Sequence, residues 1–410
     1  MVDANPSAHI HPLPRLTKQL AQSLFRRPKW PAPLRAERTH LYFRGSNAIW
    51  HALKTLRLEA GDEVLFPAYH CGIELDVLLA AGLRVTFYPV GRDLALDASV
   101  LARHMGPTTR AVYVIHYYGL PQDLNATLEV CRRRGVAMIE DCAMALYGRL
   151  GDRPLGSYGD VSIFSLWKTV AMPFGGALVV NNPRLPRPEA AQPPSRYEVL
   201  RAVKQLLEME FKGRRWFERI RRWCAEPFAR AVRGVSVRTS EDGWRRQPLW
   251  VPLFAAGRSG WGMTALSRHL FLTADGEAIY NSRRANYSLL AQALQPLSCV
   301  APLCGELPDG ACPLYCPVLV EDPVAFRQFL LGRGVEAFLM WRETHPLFPK
   351  GEFPDAAYLR AHVVALPVHQ HLDAEMRSAM AEALAAWDRR HCAEHRAVSH
   401  RAAATEYAQA

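Results

Sequence analysis

Apolar residues in this chain cluster into short runs, and between the runs they recur every three or four positions. Val64-Leu65-Phe66, entered from the turn Gly61-Asp62-Glu63, is the first clear run, and Val85–Tyr88, Ala111–Ile115, Val136–Ile139, Val161–Phe164 and Ala177–Val180 follow. Runs of this length, rich in β-branched and aromatic residues, predict buried strands. Between them, Ile49, Ala52, Leu53 and Leu56 have helical spacing, and segments 73–81 and 124–134 also read as helices. Buried strands alternating with helices predict an α/β fold: a mostly parallel sheet covered by helices on both faces.

The flanks read differently. Leu16, Leu20 and Leu24 recur every four residues and predict a short helix that Arg26-Arg27-Pro28 and Pro31 end. Residues 1–38 are therefore expected to be an N-terminal arm, and 39–250 the large domain. Past Pro183 the chain becomes Pro-rich, then basic. A helix over 275–295, a strand Leu314–Val320 and helices over 322–333 and 373–388 predict a smaller C-terminal α+β domain, 251–390. The last residues, 391–410, rich in Ala, His and Arg, are expected to form a flexible tail.

Composition adds constraints. Of 410 residues, 49% are hydrophobic and 22% charged, which excludes a disordered, collagen-like or coiled-coil chain. No apolar run approaches the ~18–20 residues that span a bilayer. No apolar core of about 7–15 residues follows the N-terminal basic stretch, so no secretory signal is expected. Nine scattered cysteines fit free thiols in a reducing compartment, so a cytoplasmic protein is expected. Lys and Arg number 50 against 39 Asp and Glu, and 13 basic against 6 acidic residues fall within 201–246. There the arginines interleave with Phe211, Trp216, Phe217, Trp223 and Phe228. This segment reads either as a solvated helix pair packed on the large domain or as peripheral contact with an anionic inner membrane face. Nucleic-acid binding is not expected, because no recognised motif accompanies the charge.

Four features carry chemistry, and each lies at a strand end. Gly45-Ser46-Asn47-Ala48 is a small-residue turn opening a helix, suited to N-capping or to an anion. Val136–Asp141 is an apolar strand ending in Glu140 and Asp141, and open α/β sheets bind ligands at such ends. Lys168 follows the apolar run 161–167, surroundings in which a lysine becomes a Schiff-base nucleophile more readily. Gly175-Gly176-Ala177 opens the next strand and permits close backbone approach. Cys299, Cys304, Cys312 and Cys316 lack paired metal spacing and read as buried thiols. His369 and His371 share one side of an extended run, as a metal pair or, more simply, as surface histidines. No metal site is expected.

In combination these features resemble a pyridoxal-phosphate enzyme of the aspartate-aminotransferase fold (fold-type I), and specifically the DegT/StrS family of sugar aminotransferases. Gly45-Ser46-Asn47-Ala48 stands where that family has its Ser-Gly-Thr phosphate turn. GDEVLFPAYHCG (61–72), Thr109-Arg110-Ala111 with His116 to Gly119, and IEDCAMALYG (139–148) resemble its next segments. Gly156, Gly159-Asp160, Phe164-Ser165, Lys168 and Gly175-Gly176 complete the cofactor half. Trp341, His345-Pro346, Phe353-Pro354 and Leu366-Pro367-Val368-His369 resemble its C-terminal domain.

The resemblance implies pyridoxal 5'-phosphate as cofactor, with Lys168 as the Schiff-base lysine and Asp141 opposite the pyridine nitrogen. Gly45, Ser46, Asn47 and Ser165 would hold the phosphate, and Tyr69 or His70 would stack on the ring. It implies a homodimeric aminotransferase that takes an amino group from an amino acid such as glutamate. The acceptor would be a nucleotide-activated keto-sugar for surface polysaccharide or secondary-metabolite synthesis. Three departures keep other readings open. Met144 replaces the usual Gln, Ser165 and Lys168 are three apart instead of five, and the Gly-x-Asn-x-Arg segment is absent. The alternatives are another pyridoxal-phosphate reaction such as dehydration or elimination, an amphiphilic or lipid-linked ketone as acceptor, and a non-catalytic regulatory or binding relative.

Overall fold

The computed structural model describes residues 10–35, 37–211, 254 and 256–407. The aromatics expected at Trp216, Phe217, Trp223 and Phe228, with most of the basic segment, lie outside the described residues.

The elements follow the apolar pattern closely. After a helix α1 (Leu16–Ser23) come β1 (Thr39–Tyr42), α2 (Gly45–Thr55), β2 (Glu63–Pro67), α3 (Ile73–Ala80) and β3 (Arg84–Tyr88). Next are α4 (Ala98–His104), β4 (Thr109–Ile115), α5 (Asn125–Arg134) and β5 (Ala137–Asp141). A two-stranded hairpin, β6 (Arg149–Leu150) and β7 (Arg153–Pro154), precedes β8 (Val161–Ser165), β9 (Gly176–Val180) and α6 (Arg196–Phe211).

Seven strands form one sheet in the order β1-β9-β8-β5-β4-β2-β3. The five strands from β8 to β3 are parallel, whereas β9 runs antiparallel to both neighbours. The sheet is therefore mostly parallel, as the alternation of strand and helix predicts. Register aligns its functional edge: Ile115 pairs with Asp141 and Asp141 with Ile163, while Gly176 faces Ser165 on one side and Tyr42 on the other. The end of β1, the ends of β5 and β8, and the start of β9 thus meet at one rim. Phe66, Val112, Met138 and Ile163 fill the core beneath it, each at most 1% exposed.

The C-terminal unit opens with α7 (Ala265–Leu272) and α8 (Gly276–Leu294), close to the predicted 275–295 helix. Its antiparallel sheet, in the order β10-β11-β13-β12, uses β10 (Ala301–Pro302), β11 (Tyr315–Leu319), β12 (Phe338–Leu339) and β13 (Val363–Pro367). Helices α9 (Pro323–Leu331), α10 (Pro354–His362) and α11 (Ala374–Tyr407) complete it. Val318, Leu366, Phe326 and Trp387 build its core. Helix α11 runs past the expected end at 388, so the tail predicted from 391 is helical in backbone to Tyr407. Its Ala, Glu and Arg content is strongly helix-forming, which accounts for the extension.

The arm also departs from expectation. Leu16, Gln19 and Ser23 form the buried face of α1, whereas Leu20 is 38% and Leu24 79% exposed. The predicted stripe is therefore rotated, because the arm docks through its start: Ile10 bridges to Val335 and enters the second core. His369 and His371 are not surface histidines. Both are buried and pin the arm: the His369 ring meets the His11 carbonyl at 2.9 Å, and His371 Nδ1 accepts from the Arg15 N–H at 2.8 Å. Of the cysteines, Cys312 and Cys316 are buried free thiols, while Cys299 and Cys304 are half-buried.

Candidate active site

The rim built by β1, β5, β8 and β9 brings four of the sequence-predicted features together. Helix α2 begins at Gly45 with no side chain capping its N-terminus. The first N–H groups of a helix have no carbonyl partner of their own, so they face outward at its positive end. Gly45 lies against Ser165: a Cβ there would stand 3.7 Å from the Ser165 hydroxyl. On the other side, a Cβ on Gly176 would run into the Arg44 carbonyl and the Gly45 N–H, so only glycine lets β9 close against the turn. The result is a small cradle of N–H groups, unpartnered among the described residues, and a hydroxyl, matched in chemistry to a phosphate. Asn47 contributes backbone alone, because its side-chain amide donates to the Arg258 and Ser259 carbonyls at 2.7 and 2.8 Å.

Consecutive strand residues face opposite sides, and Glu140 and Asp141 separate accordingly. Glu140 is fully buried and accepts from the N–H groups of Gly156, Tyr158 and Gly159, from Ser162 Oγ and from His116. Burial alone would raise its pKa, but His116 and these donors hold it at about 2. His116 accepts the Gln122 N–H at Nδ1, which leaves Nε2–H to point at Glu140. Nearby, the Cys142 thiol is pushed well up by burial and by the two carboxylates. Glu140 therefore ties loops together.

Asp141 faces the rim. It accepts the Tyr113 hydroxyl at 2.6 Å and the Ala143 N–H at 2.7 Å. Burial raises its pKa, against the Tyr113 and Ala143 bonds and the positive charge of Lys168. Lys168 ends a 3-10 turn, Leu166–Lys168, immediately after β8, the strand hydrogen-bonded to β5. It is half-buried, and its amine makes no hydrogen bond or ion pair among the described residues. Its charge also acts on Cys71 and Glu74, which sequence reasoning passed over. The Cys71 thiol donates to the Glu74 carboxylate, at 3.0 and 2.9 Å to the two oxygens. Burial, then repulsion from Asp141, raises the Glu74 pKa. The signal available in the sequence was the three-residue spacing of Cys71 and Glu74 across the first turn after β2.

Tyr69 and His70 are both buried among other rings. Tyr69 is sealed between Tyr117 and Trp341, its hydroxyl 2.6 Å from that of Tyr118. His70 is caged by Phe66, Phe87 and Phe348, with both ring nitrogens unpartnered among the described residues. Burial, reinforced by the charges of Arg360 and His345, holds it neutral. The loop carrying both residues is fixed from the C-terminal unit: Arg360 donates to the carbonyls of Ala68 (3.0 Å), His70 (3.0 Å) and Trp341 (2.7 Å).

Residues 43–191, which contain the glycine turn at Gly45, Asp141, Lys168 and Gly176, match the pattern of the DegT/DnrJ/EryC1/StrS aminotransferase family. The match is confined to that segment. Among curated relatives, the chain is 30% identical over 139 residues to UDP-N-acetyl-3-dehydro-alpha-D-glucosamine 3-aminotransferase of Acidithiobacillus ferrooxidans. It is also 30% identical over 141 residues to GDP-perosamine synthase of Vibrio cholerae. These alignments cover 33% and 34% of this chain, and 38% of each relative's length. The fold likeness reaches further. DesV of S. venezuelae superposes with a TM-score of 0.64 at 18% identity, over 91% of this chain and 94% of that one. The chain therefore shares the fold-type I fold of its solved neighbours, including the smaller C-terminal domain.

Proposed function

We propose that this protein is a pyridoxal 5'-phosphate-dependent aminotransferase that moves an amino group from an amino acid, glutamate being the expected donor, to a keto-sugar. The observation that carries the reading is the pairing of Asp141 and Lys168 at the ends of the adjacent strands β5 and β8, beside a glycine-built anion cradle. The residues fit the cofactor. The cradle suits its phosphate, and Asp141, a buried carboxylate destabilised by its surroundings, calls for a cation such as a protonated ring nitrogen.

When bound, the cofactor supplies an aldehyde that exchanges amines and a ring that accepts an electron pair from the amino-bearing carbon. This chain's residues do the rest. The N–H groups of Gly45, Ser46 and Asn47, with the Ser165 hydroxyl, bind and orient the phosphate. Asp141 keeps the ring nitrogen protonated by charge pairing, and Tyr113 fixes the direction of its carboxylate. Lys168 Nζ, with no hydrogen bond among the described residues, would be available to hold the aldehyde and then to carry a proton from the amino-bearing carbon. Tyr69 and His70 serve in this reading as walls that exclude water.

Both curated relatives above carry names for amino-sugar synthesis, which supports a nucleotide-activated keto-sugar as acceptor. A homodimer in the cytoplasm is part of the proposal. No helix among the described residues is long and apolar enough to cross a membrane. A second reading has one supporting observation: α6, at the start of the basic segment, exposes Tyr197 and Leu200, each 69% accessible. That face suits an acceptor presented at an anionic lipid surface. Salt-sensitive co-sedimentation with anionic vesicles supports it; wild-type protein left in the supernatant at low salt excludes it.

The test of the main reading is a half-reaction. Protein loaded with cofactor is scanned before and after glutamate, then after a nucleotide keto-sugar. A spectral change with glutamate that the keto-sugar reverses supports transamination. A change with keto-sugar alone indicates elimination, and no change with either indicates a binding protein.

A further inference from the structure

Arg283, on α8, is fully buried, and no carboxylate among the described residues pairs with it. Isolated buried cations are costly, so its donors must be spent on something specific. They are spent on carbonyl oxygens: Pro313 and Leu314 at 3.1 Å each and Thr169 at 3.4 Å, while Nε donates to the Gln370 side-chain oxygen at 3.0 Å. Gln370, just past β13, turns its own amide to the same Thr169 carbonyl at 3.0 Å. Two residues of the C-terminal unit therefore converge on one oxygen of the large domain, the carbonyl of the residue directly after Lys168.

The position of that oxygen matters because no hydrogen bond among the described residues aims the Lys168 amine. Its direction is inherited from the short turn Leu166–Lys168, which Thr169 closes through its own N–H to the Leu166 carbonyl. Resting on the reading of Lys168 above, we propose that Arg283 and Gln370 are positioning residues. They clamp the Thr169 carbonyl so that the placement of the C-terminal unit sets where the Lys168 amine points. The forked guanidinium suits this role: it reaches three carbonyls and the glutamine in one fixed geometry.

The test follows the chemistry of Lys168 separately from cofactor affinity. Pyridoxal 5'-phosphate is added to the full chain, the adduct is trapped with borohydride, and the rate of modification at Lys168 is read by peptide mass. Non-covalent affinity is measured in parallel in a Lys168→Ala background. Arg283→Met and Gln370→Leu slow trapping by on the order of tenfold to a hundredfold, as expected for a reacting group misplaced by about an ångström. Non-covalent affinity stays at the Lys168→Ala value, and Arg283→Lys recovers part of the rate. The double variant falls short of the product of the single effects, because both act on one oxygen. Folded variants that trap at the wild-type rate overturn the proposal, as does a rate loss matched by an equal loss of non-covalent affinity. Should Arg283→Met not fold, Gln370→Leu decides alone. A wild type that is never trapped at Lys168 overturns the reading of Lys168 itself, and with it this one.

Discussion

Tyr113 on β4 donates its hydroxyl proton to Asp141 on the neighbouring strand β5, across 2.6 Å of buried space. Burial, and then the Asp141 charge, pushes the tyrosine pKa well up, so it remains a donor at any working pH. A hydrogen bond to the charged form of a carboxyl lowers its pKa, so removing it raises that of Asp141. Tyr113→Phe should therefore weaken the grip on a cationic ring nitrogen while leaving the covalent step available. The expected cost is about 2 kcal/mol, read as weaker cofactor binding whose loss grows as the pH falls. Unchanged affinity across pH would contradict the assignment.

Gly176→Ala tests the anion cradle. The added methyl meets the backbone of Arg44 and Gly45, which cannot rotate away as a side chain would. Overpacking strain of about 1–3 kcal/mol translates into a roughly tenfold to hundredfold loss of cofactor affinity. Dialysis against pyridoxal 5'-phosphate measures it, and free pyridoxal, lacking the phosphate, should show little difference between variant and wild type.

Much of this arrangement is legible in the sequence, for a simple reason. Strand-end chemistry is local: Asp141 closes the apolar run 137–141 and Lys168 follows the run 161–165, so their exposure at one sheet edge comes with the strands themselves. What was not legible depends on contacts between distant segments. Tyr113 reads as one more apolar strand residue until β5 is placed beside it. Cys71 and Glu74 gain meaning only when α3 approaches Lys168. His369 and His371 look like surface residues until the arm, over 350 positions upstream, covers them. The reversed direction of β9 is likewise invisible to periodicity, since a buried strand alternates in the same way whichever way it runs.

Glu140 should behave as a structural acid. Replacing it with Gln sets an NH2 group among N–H donors, and we expect a loss of about 3 kcal/mol or more, read by denaturant unfolding. Its folded pKa of about 2 lies below the ordinary 4.5. The native state thus binds fewer protons than the unfolded chain between those values, and stability falls as pH drops through that window. In Glu140→Gln that part of the acid sensitivity should vanish.

Milder acid should act through histidines. Burial holds His70 and His369 well below 6.5 and His371 at about 4. A depressed folded pKa gives stability that is complete above 6.5 and is lost as the pH falls, because the unfolded chain takes up protons the native state refuses. Glu74 and Asp141, raised by burial, act in the opposite sense, so the informative quantity is a difference between variants. His70→Leu, which removes two buried nitrogens with no partner among the described residues, should raise stability at pH 7 by about 1 kcal/mol. It should also flatten the decline between about pH 6.5 and 5. An unchanged pH slope in unfolding midpoints would show that His70 is not the neutral core group described above.

The most direct test of the central claim is the site of covalent cofactor capture. The full chain is incubated with pyridoxal 5'-phosphate, reduced with borohydride, digested and mapped by mass. A single pyridoxyl-phosphate adduct on Lys168, lost in Lys168→Ala, is the predicted result. An adduct spread over surface lysines, or one that persists at full yield in Lys168→Ala, would contradict it.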